Sequence, residues 1–427
     1  MTTVPINLGD LVGQQAATGI LRAALREQRI GHAYLFVGPD AVGKLTAALL
    51  FAKALNCEDQ AAPPDQACGA CKSCVRFEHG NHPQMWRIAP MYRRQPITDP
   101  RLLELVEDQA WITIAQTRGD ERERPPHPPV LREAMRKPMF SPYKVFIFEP
   151  ADRMTEEAAD SLLYTLEEPP QGTVFILVTS RPAALRDTVV SRCEQVRFHT
   201  VAPDQIVRLL RARGVEPGRA QLIAGLADGR PGRAVTMAER PSVMELRGAV
   251  IELAQELFSA PLQAALALSS RTQDLAARLW ETEFEAVVEG EREEEEEAPQ
   301  PHAADGAVSG PGKGRAESAA TEAERFRISR TLAMRRAAPQ ALNMMAGFLR
   351  DVMVAKSGRP ELVVNRDYLA QAEACAAQAS YEALRLAIEA IVRTEGYIRA
   401  YVNLDPALEA MYVELLALLG AAARTAA

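Results

Sequence analysis

A strand-to-helix turn with the sequence Gly38-Pro-Asp-Ala-Val-Gly43-Lys44 constrains the fold of this chain more than any other segment. It follows the apolar run Ala33-Tyr-Leu-Phe-Val37 and opens a helical stretch. The G-x4-G-K spacing turns backbone N–H groups inward onto phosphate, offers Lys44 to the outer phosphates, and aims the positive end of the next helix at the anion. The bland alternative is a Gly-containing turn with a surface lysine. The strand before and the helix after favour the phosphate loop. The loop is nonetheless incomplete. The hydroxyl that normally follows the lysine to ligate magnesium is replaced by Leu45. Thr46 comes one residue late, a rotation of roughly 100° around the helix.

Short apolar runs at Ala33–Val37, Met85–Ile88, Val145–Phe148, Val174–Val178 and Gln195–Phe198 alternate with helical patterns, which predicts an α/β P-loop domain built on a parallel sheet buried on both faces. A helix is expected after Thr155, which can cap it, with Glu156 and Glu157 in its first turn, a stripe of Ala158, Leu162 and Leu166, and a stop at Pro169. After Val145–Phe148 an ATPase would carry an aspartate for magnesium and often a glutamate to activate water. Here Glu149 and Pro150 stand instead. Glu149 can reach toward metal with its extra methylene, Pro150 offers no base, and Asp152 reads either as a rescue or as a helix-entry residue. The pattern supports nucleotide binding without efficient hydrolysis.

Cys57, Cys68, Cys71 and Cys74 follow in the spacing C-x10-C-x2-C-x2-C. Four soft ligands on a polar loop fit a closed, tetrahedral structural zinc (Zn2+) site, with Gly69 easing the turn. His79 and His82 are then expected at the surface. With only Cys193 and Cys375 left over, the cysteines suit a reducing compartment, and the chain reads as cytoplasmic, with no secretory signal and no membrane span.

The rest of the chain is read more coarsely. Residues 91–130 form an excursion, with a helix at Pro100–Thr117. Residues 203–280 look helical, punctuated at Gly229-Arg-Pro-Gly-Arg233. Residues 281–325 hold thirteen Glu and one Asp against three Arg and one Lys, a net −10 in a chain of net −7, leaving about +3 elsewhere. A solvated, disordered tether is expected there. The uneven charge leaves DNA contact open. Helical periodicity returns from Phe326 to Leu419. In Ser191-Arg192-Cys193, between the fourth and fifth strands, the arginine reads either as a surface turn residue or as a guanidinium projecting toward a neighbouring subunit's phosphates.

Together these segments resemble the clamp-loader branch of the AAA+ proteins, in its bacterial DNA polymerase III delta-prime family. The similar stretches are Leu11–Gln14, Gly31–Gly38, the four-cysteine loop, Gly80–Pro83, Lys144–Phe148, Ala151–Thr155, Leu162–Gly172, Thr179–Pro182, Ser191–Cys193 and Gly229–Arg233, with weaker likeness at Asn365–Asp367 and Tyr401–Asn403. The resemblance implies an AAA+ P-loop domain at 1–200 with a zinc-binding insertion at 57–74, a small helical lid at 201–280, an acidic linker at 281–325 and an all-α collar at 326–427. It implies a nucleotide site of Gly38, Gly43, Lys44, Leu45, Thr46, Glu149, Thr179 (sensor 1) and Arg233 (sensor 2), able to hold ATP but poorly equipped for Mg2+. Arg192 would be an arginine finger acting in trans. The implied partners are gamma/tau and delta subunits in a hetero-pentamer, with the sliding clamp and primed DNA. The implied role is that of a non-hydrolysing stator, a component of the DNA polymerase III holoenzyme rather than an independent enzyme. An ATP-hydrolysing motor subunit and a free-standing zinc-containing DNA-repair ATPase are the competing readings. The first lacks its Lys-Ser/Thr and Asp-Glu pairs here, and the second lacks its catalytic carboxylates.

Overall fold

The computed structural model describes residues 7–92, 95–96, 111–119, 129–278, 330–399 and 403–420. They divide into two compact units, Met1–Glu239 and Arg240–Ala427. This division falls inside the 201–280 stretch expected as one lid. The 281–325 linker and Tyr401–Val402 lie outside the described residues.

The first unit is built on a five-stranded parallel sheet of β1 (Ala33–Val37), β2 (Met85–Ile88), β3 (Lys144–Phe148), β4 (Thr173–Thr179) and β5 (Glu194–Arg197). Their order is β2-β3-β4-β1-β5. Each expected strand is present to within a residue. Successive side chains on a strand point to opposite faces, and here both faces are apolar. Tyr34 and Phe36 of β1, Val145 and Ile147 of β3, and Ile176 and Val178 of β4 join one core with Leu21 and Phe51. The intervening Leu35, Phe146, Phe148, Phe175 and Leu177 join the other with Leu162 and Leu166. Leu21 and Phe51 come from α1 (Gln15–Glu27) and α2 (Lys44–Leu55). Tyr34 meets Phe51 edge-on at 5.2 Å, and Phe146 stacks on Phe175 at 5.5 Å.

The four-cysteine loop leads into α3 (Lys72–Glu78). Between β2 and β3 the chain makes a small antiparallel ladder, Met91–Tyr92 with Gln95–Pro96. Of the helix expected at Pro100–Thr117, residues 100–110 lie outside the described set, and the remainder corrects the expectation. Trp111 and Ile112 bridge to Met91 and Met154, and only Ile114–Thr117 makes a helical turn. Thr113 is extended and caps that turn together with Gln116, so no continuous helix passes through it.

Helix α4 (Glu156–Glu167) is capped by Thr155, whose Oγ1 accepts the Ala158 N–H at 3.2 Å. Helices α5 (Pro203–Ala212), α6 (Pro217–Leu226) and α7 (Pro231–Glu239) complete the unit, each with Pro near its start, where the missing N–H costs nothing.

The second unit is all helical in its described residues: α8 (Pro241–Glu256), a helix over 265–278, α9 (Arg330–Lys356), α10 (Leu369–Ala376), α11 (Tyr381–Arg399) and α12 (Leu404–Leu419). Phe258, Phe348, Leu384, Leu408 and Tyr412 anchor its core. The Asn365–Asp367 stretch singled out in the sequence is a polar knot. Buried Asp351 accepts the Asn365 N–H at 2.7 Å and its Nδ2 at 2.6 Å, while Arg247 donates to Asn365 Oδ1 at 2.7 Å and to both Asp367 oxygens.

Candidate functional site

The phosphate loop leaves β1 at the C-terminal end of the sheet, between β4 and β5. Register pairs Val37 with Thr179 on one side and Arg197 on the other, so the loop and the end of β4 emerge together. Two glycines are required by geometry. A Cβ on Gly38 would sit 2.4 Å from the carbonyl oxygen of Phe198. Gly43 has φ +99°, a left-handed conformation that favours glycine, and it begins α2 without a side-chain cap. The first N–H groups of α2 have no intrahelical acceptors and face the loop.

Lys44 is buried, and its ammonium donates to Gly38 O and Pro39 O at 2.7 Å each, with Asp40 at 3.8 Å. Burial pulls its pKa down, while Asp40, Glu149 and Asp152 act in the opposite direction. The lysine therefore caps carbonyls of its own loop, the position from which it would turn to a phosphate. Leu45 is half-buried and packs against the apolar core, and Thr46, one step further along α2, is half-buried too.

Glu149 follows β3 directly, and its Oε2 accepts from Arg87 Nη2 at 2.8 Å. Burial raises the carboxyl's pKa, and Arg87 and then Lys44 oppose that rise. Asp152, read as either a metal rescue or a helix-entry residue, lies in a 3-10 turn and is held from two sides. Thr179 Oγ1 donates to its Oδ1 at 2.6 Å, and Arg181 donates to its Oδ2 at 3.0 Å from Nε and 2.8 Å from Nη2. Thr179 also accepts the Arg181 N–H at 2.9 Å. The first turn of α7 closes the site from above: the Gly232 N–H donates to Ala41 O at 2.8 Å, and Arg230 is close enough to press on the Lys44 charge. Arg233 is exposed in the same turn.

These residues are compatible with a polyanion. They do not accommodate Mg2+, which needs near-octahedral oxygens at about 2.0–2.1 Å. The hydroxyl position is Leu45, the base position is Pro150, Glu149 is engaged by Arg87, and Asp152 is engaged by Thr179 and Arg181.

Arg192 follows the short helix Asp187–Val190. Its Nε donates to Glu167 Oε1 at 2.8 Å, its Nη2 pairs with the same carboxylate, and its Nη1 donates to Thr188 O at 2.6 Å. Both members of the pair keep solvent access, so the contact is a rim contact.

The sulfurs of Cys57, Cys68, Cys71 and Cys74 all lie within 4.8 Å of one another. Cys68 and Cys74 are 4.0 Å apart, against about 3.8 Å for two thiolates on one tetrahedral zinc with 2.3 Å bonds. Backbone N–H groups of Cys68, Cys71 and Cys74 point at Cys57, Cys68 and Cys71 sulfurs at 3.3–3.4 Å. N–H groups of Ala70 and Cys71 lower the Cys68 pKa to about 7. The geometry is compatible with zinc. The loop is tied to α1 by Asp65, which accepts from Arg22 and Arg26 at 2.7 Å each.

His82 corrects a sequence expectation. It is buried rather than at the surface, 3.2 Å from Ser73 Oγ and stacked on Phe77 at 4.2 Å, and burial lowers its pKa to about 4. Burial against Phe77 and Ser73 of α3, with the Arg76 charge acting in the same direction, favours the neutral imidazole. His79 is exposed as expected.

Three residues that bear on the site carried no role in the sequence reading. Arg87 interrupts an apolar strand, which is the signal that could have found it. Arg181 and Gln14 lie in motif stretches but were given no task. Gln14 Nε2 donates to Val42 O and His199 O, and its Oε1 accepts the His199 N–H, clamping the loop to the exit of β5.

Residues 13–202 match the family model described as "DNA polymerase III, delta subunit". The chain is 33% identical over 238 residues to DNA polymerase III subunit delta' of Bacillus subtilis, covering 56% of this chain and 63% of that one. It is 32% identical to subunit tau of the same organism, covering 53% and 36%. A DNA polymerase III gamma subunit-related protein of Thermotoga maritima aligns in structure at 15% identity and a TM-score of 0.35, over 75% of this chain and 97% of that one. The chain spans less than two thirds of the length of these curated relatives.

Proposed function

We propose that the chain is a delta-prime-like, non-hydrolysing subunit of a replicative clamp loader, a reading supported by the match of residues 13–202 to the DNA polymerase III family model and by the 33% identity to a subunit delta'. It assembles with gamma/tau and delta subunits into a hetero-pentamer that loads the sliding clamp onto primed DNA. The observation that carries the non-hydrolysing reading is the state of the carboxylates beside Lys44: Glu149 is taken by Arg87 and Asp152 by Thr179 and Arg181. With Pro150 at the base position, neither of these two carboxylates is free to activate water. The frame of a phosphate loop persists without the groups for phosphoryl transfer.

In this reading Arg192 supplies the arginine finger. A planar, permanently charged guanidinium suits phosphate oxygens that gain charge in the transition state. Its exposed pairing with Glu167 holds it with no more than about 1 kcal/mol, so a neighbour's triphosphate can draw it out. Zinc at Cys57, Cys68, Cys71 and Cys74 is structural, since four protein ligands leave no open position.

The test is reconstitution. Arg192→Ala is expected to leave assembly intact and to lower the ATPase rate of the reconstituted complex severalfold; unchanged turnover would refute the finger. In the isolated chain, ATP turnover abolished by Lys44→Ala would favour the motor reading instead.

A further inference from the structure

We propose that Arg87 takes the place of the divalent cation, so that the phosphate loop meets nucleoside polyphosphate as the metal-free anion. The inference rests on the reading of 38–44 as a phosphate loop and goes beyond the reading of the chain as a non-hydrolysing subunit.

Three observations converge. Arg87 lies on β2, next to β3 in the sheet, with Arg87 opposite Ile147 in register. This brings its guanidinium to the residue that leaves the end of β3, and Nη2 meets Glu149 Oε2 at 2.8 Å. Glu149 is the carboxylate that would otherwise hold a cation, and it lies within electrostatic reach of Lys44. The second position from which a metal is usually held carries Leu45, a half-buried side chain packed against the apolar core. Asp152, the acid nearest the end of β4, already accepts three hydrogen bonds from Thr179 and Arg181, and Asp40 faces the Lys44 ammonium at 3.8 Å.

The physical consequence follows from charge. A hydrated Mg2+ beside Glu149 would meet the Arg87 guanidinium at close range, in a site whose carboxylate is already neutralised. A guanidinium needs no octahedral oxygen shell, and its forked donors match phosphate oxygens as well as carboxylates. The free polyphosphate, with its full negative charge, would therefore be favoured over its magnesium complex. Arg87 then acts as a specificity determinant for the ionic form of the ligand.

The experiment is a fluorescence titration of the full reduced chain with a mant-labelled, non-hydrolysable ATP analogue, in EDTA and in excess MgCl2. Binding is expected in EDTA, with magnesium leaving the affinity unchanged or weakening it. Arg87→Lys keeps a cation and should behave like the native chain. Arg87→Ala frees Glu149 and should make binding depend on magnesium by about tenfold, or 1.4 kcal/mol. Circular dichroism of each variant checks that it has folded. Two results would overturn the proposal: native binding at least about tenfold tighter with magnesium, or no binding in either buffer. Neither bears on Arg192 or on turnover, because the analogue is not cleaved and no partner is present. Failure here is thus separable from failure of the loader reading.

Discussion

Replacing Gln14 by alanine tests whether the phosphate loop is held in shape from outside itself. The amide is 2% exposed and makes three hydrogen bonds, to Val42 O at 3.2 Å, to His199 O at 2.7 Å and from the His199 N–H at 3.1 Å. Removing it strands the Val42 carbonyl in a buried position, whereas the backbone of the exposed His199 regains water. Charging about 1–3 kcal/mol for the stranded carbonyl and about 1 kcal/mol for the other two bonds together gives a loss of about 2–4 kcal/mol. For a unit the size of Met1–Glu239, each kcal/mol shifts Tm by about 2–4 °C, so the drop should be on the order of 8 °C. Thermal unfolding is followed by tryptophan fluorescence, since Trp86 and Trp111 both belong to this unit. Gln14→Glu sharpens the test. Its carboxylate would face two carbonyl oxygens, so at neutral pH this variant should melt below Gln14→Ala. Burial raises such a carboxyl's pKa, and the penalty should therefore shrink as pH falls through that raised value. A Gln14→Ala melt within about 1 °C of native, where about 8 °C is expected, would refute the clamp. So would a Glu variant more stable than the alanine variant at neutral pH.

Two further outcomes are expected. Freshly reduced protein should carry one zinc by elemental analysis and lose thermal stability with a strong chelator, because the binding energy of such a site is folding energy; substoichiometric metal would contradict the four-thiolate site. Asp65→Asn should cost about 1–2 kcal/mol at neutral pH, since the buried carboxylate serves two partly exposed arginines. Burial raises the Asp65 pKa, but Arg22 and Arg26 bring it below its ordinary 3.8. The native advantage should be full above that ordinary value and fade as pH falls through the lowered one. A gap that stays constant with pH would exclude the ion pair as its source.

The sheet was legible because its strands are buried on both faces, so each reads as an unbroken apolar run with clear ends. Helix α4 was legible because cap, charge and stripe all agree in one twelve-residue window. The four cysteines were legible because short spacing forces their convergence. What escaped the sequence is chemistry between residues far apart along the chain. Arg87 and Glu149 are 62 positions apart and meet only through the pairing of β2 with β3. Asp152 and Thr179 are joined across 27 residues by the same sheet. His82 was misread because polarity suggested the surface, while Phe77 and Ser73 build it an interior place. Helical periodicity likewise identifies an apolar stripe but not its partner. Nothing in the sequence therefore marks that α7 closes on Ala41, or that the next helix starts the second unit.

Four sulfurs gathered this tightly are also a redox liability. With a cation among them they are thiolates locked in a shell. Without it, the same proximity turns neighbours into candidates for oxidation, and one disulfide would leave only two thiolates where four are needed. Oxidant exposure of the bare loop would then be a one-way loss of the metal site unless a reductant reopened it, and the order of events, metal first or air first, would decide which protein is in the tube.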